Sequence, residues 1–250
     1  MVDIEDVKSI ALFAANAIME IYRRDFDVEL KEDKSPLTEA DKAANEIICN
    51  SLRSKYPNIP ILSEENKAIS YEERKDWKKF WLVDPIDGTK EFIKKNGEFT
   101  VNIAFIENQK PSLGVVYVPA TQSIYYGSES IGAYKDVEKL PLRINKSPQE
   151  KLTVVASRSH LSKETEEFIK ILSTKTKKIE TISKGSSLKL CLVAEGKADY
   201  YPRLAPTMEW DTAAAHAICL AAGKKVVRYD NGEELVYNKK ELLNPWFIVH

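Results

Sequence analysis

Three acidic segments of the chain lie where a predicted helix or strand begins or ends. Glu64 and Glu65 follow a strand-like apolar run. Asp84 and Asp87 follow another, in Trp-Leu-Val-Asp-Pro-Ile-Asp-Gly-Thr, and Asp211 opens an alanine-rich helical stretch. Each segment alone has an ordinary structural explanation, because Asp-Gly is a common turn and an acid at a helix start faces the positive end of the helix dipole. Together, they offer several carboxylates that the fold can gather at one point.

These carboxylates have the chemistry of a metal site. Asp84 and Asp87 flank a turn fixed by a proline and a glycine, so both can face one point together with the Ile86 carbonyl. Glu64 and Asp211 can add carboxylates from elsewhere in the chain. Oxygen donors suit Mg²⁺, and the lack of Cys and His in the three segments disfavours zinc. A bound cation would relieve the repulsion among the carboxylates and attract a phosphate.

The sequence pattern in the first half of the chain predicts the helices and strands that position most of these ligands. Apolar residues at helical spacing predict amphipathic helices over residues 4–21 and 38–52. Runs rich in β-branched and aromatic residues predict strands at 59–62, 80–83, 100–106, 113–118 and 123–126. We therefore expect helices packed over a mostly antiparallel sheet.

The second half of the chain has a different pattern, beyond a polar stretch at 138–151 that predicts a domain crossing. Strands are predicted at 153–156, 178–182, 198–201 and 225–228, and helices at 163–172, 186–195 and 211–222. This alternation is typical of α/β structure. We predict an α/β protein of two lobes, an α+β lobe over 1–140 with most of the metal ligands and an α/β lobe over 141–250 with Asp211. The site would lie between them.

Composition excludes several other classes of protein. The 250 residues include 37 Lys and Arg against 38 Asp and Glu, a net charge of −1 that argues against a non-specific nucleic-acid binder. No apolar run approaches the roughly 18–20 residues that span a bilayer, and the N-terminus lacks the pattern of a secretory signal.

Cys49, Cys191 and Cys219 lie far apart among apolar neighbours, which favours buried thiols in a reducing compartment. A cytoplasmic protein with a small-molecule partner is expected, and its oligomeric state stays open.

The three segments together resemble the lithium-sensitive, magnesium-dependent phosphatases of the inositol monophosphatase superfamily. The resemblance covers nearly the whole chain and implies a layered αβαβα sandwich. Within the superfamily, the chain looks closest to the bacterial CysQ-type 3′(2′),5′-bisphosphate nucleotidases. The segments that indicate this branch are Lys90-Glu91, Ser157-Arg158-Ser159-His160, Gly185-Ser186-Ser187-Leu188-Lys189 and Tyr201-Pro202-Arg203.

The resemblance implies a catalytic site with two Mg²⁺ ions, and some relatives carry a third. Glu64, Asp84 and the Ile86 carbonyl would hold the ion whose bound water attacks the phosphate. Asp84, Asp87 and Asp211 would hold the second ion beside the leaving oxygen.

The family pattern also assigns a pair of residues to the attacking water. Thr89 would orient the water and Asp41 would take its proton. On its own, Asp41 would be interpreted as an ordinary acid at a helix start.

The resemblance implies a second set of residues that bind the substrate. A lone Lys on a helix is usually solvated and a lone His is usually a loop residue, so these assignments depend on the resemblance. The implied substrate-binding residues are Glu64, Asp87, Gly88, Thr89, His160, Ser186, Lys189, Arg203 and Asp211.

The implied reaction is removal of the 3′-phosphate of adenosine 3′,5′-bisphosphate, giving AMP and phosphate in the setting of sulfur assimilation. Activity on 3′-phosphoadenylyl sulfate is expected as well. The alternative within the superfamily is hydrolysis of inositol monophosphate or fructose 1,6-bisphosphate. A non-catalytic metal or nucleotide sensor is the alternative from another class. His216 is expected to be structural.

Overall fold

The computed structural model describes residues 2–30, 36–66, 69–145, 147–156 and 162–250. The helices within these ranges are α1 (Ile4–Tyr22), α2 (Glu39–Lys55), α3 (Tyr71–Arg74), α4 (Thr89–Ile93), α5 (Lys163–Ser173), α6 (Leu188–Ala194) and α7 (Glu209–Ala221). The strands are β1 (Val28–Leu30), β2 (Pro36–Thr38), β3 (Ile61–Ser63), β4 (Lys79–Asp87), β5 (Thr100–Glu107), β6 (Lys110–Val118), β7 (Ser123–Ser128), β8 (Gly132–Lys135), β9 (Glu138–Lys139), β10 (Lys151–Val155), β11 (Lys178–Ile182), β12 (Tyr201–Arg203), β13 (Val226–Arg228) and β14 (Phe247–Val249).

A sheet of seven strands, in the order β3-β4-β5-β6-β7-β8-β9, forms the centre of the fold. The β3–β4 pair is parallel and the other pairs are antiparallel. Both faces of the central strands are covered, which explains why β4 and β5 are almost continuously apolar. Trp81 and Val83 of β4 belong to the core on one face, whereas Phe80 and Leu82 belong to the core on the other.

Helices α1 and α2 cover the first face of the sheet. The buried side of α1 carries Val7, Ile10, Ala14 and Ile18, the helical spacing that the sequence shows. The helix is 19 residues long, but none of the described helices is long and apolar enough to cross a membrane. The prediction of two amphipathic helices on the sheet is therefore confirmed.

Helices α6 and α7 cover the second face, and the alanine-rich α7 approaches the sheet very closely. Gly114 of β6 makes this possible, because a Cβ at that position would lie 2.0 Å from the Ala214 carbonyl oxygen. Glu209 anchors the start of α7, since its fully buried carboxylate accepts hydrogen bonds from Asn238 N at 2.7 Å and from Lys239 Nζ at 2.6 Å. The beginning of α7 is thus fixed relative to the sheet.

The C-terminal strands form a further layer behind α6 and α7. Strands β10 and β11 pair in parallel, and β12, β14 and β13 pair antiparallel in that order. A parallel bridge from Val154 to Tyr200 joins the two groups. Val155 faces the core of α6 and α7, whereas Val154 faces Phe168 of α5 on the outer side. The mixed α/β fold is confirmed, with helix, sheet, helix, sheet and helix in successive layers.

Several element boundaries differ from the sequence prediction. The strand predicted at 198–201 lies at Tyr201–Arg203, because Tyr200 only bridges to β10. Helix α6 begins at Leu188 instead of residue 186, since Ser186 has a φ of 45° that a right-handed helix excludes. The short elements β1, β2, α3, α4, β8, β9 and β14 were not predicted. The division into lobes at residue 140 stays a prediction. All three cysteines are buried thiols, as predicted.

One prediction from the fold concerns His216, which is buried in α7 with its Nδ1 2.9 Å from the Tyr237 hydroxyl oxygen. Burial first, and the charge of Lys110 second, lowers the pKa of His216 to about 3. At pH values between about 3 and the ordinary histidine pKa of about 6.5, the unfolded chain binds a proton at His216 that the folded protein excludes. We expect the contribution of His216 to the free energy of unfolding to fall by about 1 kcal/mol per pH unit as the pH drops through this window, and the difference between the parent and a His216 variant isolates it from the carboxyl groups that titrate in the same range.

Urea denaturation across the same pH window measures this effect. His216→Asn should flatten the dependence, whereas His250→Asn should keep most of it, since His250 is exposed at the end of the chain. A slope that His216→Asn does not change would contradict the assignment.

Candidate active site

An irregularity in the pairing of β4 with β5 positions two of the predicted ligands. The register shifts between Asp84 and Asp87, so Asp84 lies opposite Asn102 and Asp87 lies opposite Thr100. Such bulges re-aim side chains and are frequent beside active sites. The Ile86 side chain, between the two acids, is buried in the core next to α2 and anchors the bulge.

The other two carboxylates reach the same place from separate elements. Glu64 lies in a short 3₁₀ turn directly after β3, and β3 runs parallel to β4. The Glu64 side chain lies close enough to Asp84 to raise the pKa of the Asp84 carboxyl group. Asp211 lies in the first turn of α7, where its Oδ2 accepts from Met208 N at 3.0 Å. The four carboxylates that the sequence predicted therefore form one cluster.

Burial and repulsion between charges raise the pKa values of Asp84, Asp87 and Asp211. Burial raises the pKa of Asp84 well above its ordinary range, and the charges of Glu64, Asp87 and Asp211 add to the effect. Burial raises the pKa of Asp87 to about 6, although Lys189 opposes this shift. The pKa of Asp211 is raised to about 8 by burial and then by Asp87. Each group would ionise more readily with a cation nearby.

The cluster has the donor set for a hard divalent cation. Asp84 Oδ1 is buried and has no hydrogen-bond partner among the described residues, which leaves one donor atom unused. Within the same ranges, no group of three or more Asp, Glu, His or Cys side chains already forms a ready-made metal site. The residues fit an oxygen-ligated ion that also keeps water ligands.

Asp41 and Thr89 are in contact at the edge of the cluster. The Thr89 hydroxyl is 3.2 Å from Asp41 Oδ1, to which it donates, and 3.3 Å from the Ile86 carbonyl oxygen. The other oxygen of Asp41 accepts from Thr38 N at 2.8 Å and from the Thr38 hydroxyl at 2.7 Å. Asp41 therefore caps helix α2 with one oxygen and holds Thr89 with the other.

Gly88, between the bulge and α4, has a backbone conformation and a close contact that favour glycine. Its φ is 93°, and a Cβ there would lie 3.1 Å from the Glu98 carbonyl oxygen and 3.2 Å from the Ser186 Cβ. The turn that carries Thr89 is therefore packed directly against the segment that precedes α6.

A cavity of 560 Å³ extends from Asp87 and Asp211 towards the C-terminal strands. Its size is in the range of about 300–1,000 Å³ typical of small-molecule sites. Ser186, Lys189 and Arg203 line this cavity, so the structure brings these three predicted residues together with the carboxylates. His160 lies outside the described residues.

Lys189 and Arg203, two of the basic residues that line the cavity, are held differently. Burial lowers the pKa of Lys189, and the carboxylate of Asp87 partly opposes this effect. Arg203 donates from Nε to the Thr207 hydroxyl and from Nη2 to the Pro206 carbonyl oxygen at 2.7 Å. The cavity thus has a carboxylate end and a cationic wall.

Sequence reasoning missed several polar residues of the site. Glu98 accepts from Gly185 N at 2.8 Å and from Lys184 Nζ at 3.2 Å, which ties the segment before α6 to the segment before β5. Thr100 and Asn102 are fully buried in β5. Polar residues within an apolar strand were the signal that could have identified these two.

Comparison with known proteins gives consistent matches along the chain. The model of the inositol monophosphatase family matches residues 2–246. The 3′(2′),5′-bisphosphate nucleotidase CysQ of Salmonella typhimurium is 47% identical over 98% of both chains, and that of Escherichia coli K12 is 46% identical over the same shares.

Solved structures give the same result for the fold. The structure of CysQ from Bacteroides thetaiotaomicron, a bacterial member of the inositol monophosphatase family, has a TM-score of 0.88 and 47% identity, covering 98% of this chain and 96% of that one. The Thermotoga maritima IMPase has a TM-score of 0.76 and 27% identity, covering 96% of this chain and 89% of that one.

A prediction from the cluster is that removing the charge of Asp211 stabilises the cation-free protein near neutral pH. The folded pKa of about 8 lies above the ordinary 3.8, so folded protein keeps a proton that the unfolded chain loses. Stability therefore falls as the pH rises from 3.8 to about 8. Asp211→Asn keeps an oxygen for the Met208 amide and removes this titration.

Chemical denaturation in the presence of a chelator measures the difference. We expect the free energy of unfolding of Asp211→Asn to exceed that of the parent by up to about 5 kcal/mol at a pH of about 7.5, and the difference to narrow towards a pH of about 4. A gap that does not depend on pH would show that Asp211 carries no proton in the folded state.

Proposed function

The chain belongs to the inositol monophosphatase family, and we propose that it hydrolyses the 3′-phosphate of adenosine 3′,5′-bisphosphate to give AMP and inorganic phosphate. The observation that carries this proposal is the full-length similarity to the CysQ nucleotidases of Salmonella typhimurium and Escherichia coli. The same chemistry would act on 3′-phosphoadenylyl sulfate. We further propose a cytoplasmic location, which the buried free thiols support. We also propose a role in sulfur metabolism, which follows from the proposed substrate.

Enzymes of this family are generally metal-dependent, and we propose that the metal is Mg²⁺. Glu64, Asp84 and the Ile86 carbonyl would hold one ion, and Asp84, Asp87 and Asp211 a second; a third is compatible with the family pattern. When bound, Mg²⁺ neutralises phosphate charge and lowers the pKa of a coordinated water. The all-oxygen donor set and the unpartnered Asp84 Oδ1 support this choice.

Asp41 and Thr89 would handle the proton of the attacking water. The Thr89 hydroxyl donates to Asp41, so the free lone pairs of its oxygen can accept a proton from the water. As the water oxygen bonds to phosphorus, its proton passes through Thr89 to Asp41. The bond from phosphorus to the ribose O3′ breaks, and O3′ takes up a proton from solvent.

The cationic wall of the cavity would bind the remaining phosphate of the nucleotide. Lys189 supplies a positive charge, and Ser186 supplies a hydroxyl group at the same wall. A guanidinium has five N–H donors, more than the contacts of Arg203 with Thr207 and Pro206 require. His160 stays a predicted substrate contact.

A substrate panel tests the proposed function. Phosphate release with Mg²⁺ would be compared for adenosine 3′,5′-bisphosphate, inositol 1-phosphate and fructose 1,6-bisphosphate at matched sub-saturating concentrations. We expect the nucleotide to be preferred at least about a hundredfold, equivalent to about 2.7 kcal/mol in transition-state binding. Lys189→Met should reduce this preference, because the charge that meets the second phosphate is lost.

The other outcomes of the panel have distinct meanings. Similar rates on all three compounds would keep the metal-assisted hydrolysis and overturn the choice of substrate. No release from any compound would favour the sensor interpretation.

A second prediction concerns the proton path. Thr89→Val removes the hydroxyl and Asp41→Asn removes the acceptor charge, so each should lower kcat by about 10²–10⁴. Thr89→Ser, which keeps the hydroxyl, is the matched control and should stay close to the parent. Steady-state phosphate release measures kcat, and a Thr89→Val enzyme as active as the control would refute the path.

A further inference from the structure

Two polar side chains interrupt the apolar strand β5 beside the carboxylate cluster. Thr100 is 0% exposed and Asn102 is 1% exposed, and their apolar strand neighbours are equally buried. In the β4–β5 pairing, Asn102 lies opposite Asp84 and Thr100 lies opposite Asp87. Opposed residues of an antiparallel pair lie on the same face of the sheet, so both polar residues face the predicted ligands.

These residues belong to a hydrogen-bonded chain, here called the β5–α6 network, which consists of Thr100, Asn102, Ser186 and Ser187. Asn102 Nδ2 donates to Asp87 Oδ2 at 3.5 Å, and the Ser187 hydroxyl donates to Asn102 Oδ1 at 2.9 Å. Thr100 Oγ1 lies 2.9 Å from Ser187 Oγ and 3.3 Å from Ser186 Oγ. The backbone amide of Ser187 also lowers the pKa of Asp87. The network therefore connects a predicted ligand to the residues that precede α6.

The direction of the hydrogen bonds follows from their chemistry. An ionised carboxylate only accepts, so the Asn102 amide nitrogen donates to Asp87 and the Asn102 oxygen accepts from Ser187. Ser187 has then used its proton, and Thr100 must donate to it. Thr100 has then used its only proton, so it cannot also donate to Ser186, whose Oγ lies 3.3 Å away. Ser186 lines the cavity, so the contacts lead from Asp87 to the cavity wall.

Strand β5 does not need the side-chain hydrogen bonds of the β5–α6 network in order to form. Buried polar groups destabilise a fold unless they are paired, and Val or Leu would fill positions 100 and 102 of β5 without any partner. The side-chain bonds do not contribute to the backbone ladder of the sheet. They lead to Asp87 at one end and to the cavity wall at the other.

We propose that Thr100 and Asn102 are positioning residues, which hold Asp87 and the start of α6 in one fixed arrangement. Lys189 and Ser186 then face the second phosphate of a substrate whose first phosphate lies at the carboxylate cluster, so the two ends of the cavity act on one substrate. The inference rests on the proposed function only for the identity of that substrate.

The test measures cation binding without substrate. Isothermal titration calorimetry with Mn²⁺, a tighter-binding stand-in for Mg²⁺, would compare the parent with Thr100→Val and Asn102→Leu, which remove polar atoms at similar size. We expect affinity to weaken by about tenfold to a hundredfold, the range found when groups that orient metal ligands are removed. Thr100→Ser should restore affinity, and Thr153→Val, in the distant strand β10, should leave it unchanged.

A second readout separates positioning from folding. The comparison uses variants matched in thermal stability. Thr100→Val should then raise KM for the nucleotide and lower kcat, whereas Thr153→Val should change neither. Variants that lose thermal stability but keep the Mn²⁺ affinity of the parent would overturn the proposal, as would a parent that binds no Mn²⁺. If Asn102→Leu does not fold, the comparison of Thr100→Val with Thr100→Ser still tests the proposal.

The same experiments distinguish this inference from the proposed function. A parent that binds Mn²⁺, and variants that bind it more weakly, would support positioning even if no phosphate were released from the nucleotide. That result would overturn the proposed substrate alone.

Discussion

Repulsion among buried carboxylates is the constraint on which the rest of the structure depends. Glu64, Asp84, Asp87 and Asp211 come from three separate elements, and burial makes the charges of the three aspartates unfavourable. Apolar cores on both faces of the seven-stranded sheet hold these elements in place against that repulsion. The result is a site that favours a divalent cation, and the bound cation would in turn attract a phosphate.

The fold brings the two sides of the site together through close backbone packing. The absence of a side chain at Gly114 lets α7 lie against β6, and the buried Glu209 fixes the start of that helix. Asp211 is therefore carried to the bulge of β4 by a rigid element. On the other side, Gly88 lets the β4–α4 turn meet Ser186. The carboxylate end and the cationic wall of the cavity are thus held in fixed positions relative to each other.

The cluster could be predicted from the sequence because each carboxylate lies at the end of an element with a strong local pattern. Asp84 and Asp87 follow an apolar strand and flank a Pro- and Gly-containing turn, and Asp211 opens an alanine-rich helix. The long helices and strands were predicted for the same reason. By contrast, the contacts of Arg203 with the 204–207 loop and the burial of Asn102 depend on tertiary packing. Strands such as β9 and β14 are too short for a periodic pattern, and they form because a neighbouring strand offers hydrogen bonds.

The central claim is that the carboxylate cluster receives the 3′-phosphate while the cationic wall receives the rest of the nucleotide. A crystal structure of the protein with adenosine 3′,5′-bisphosphate and Ca²⁺, an oxygen-seeking ion offered in place of Mg²⁺, tests it most directly. We predict cations bridging the 3′-phosphate to Asp84, Asp87 and Asp211, with Lys189 or Arg203 in contact with the nucleotide. A 5′-phosphate at the carboxylates, or cations bound away from them, would contradict the account.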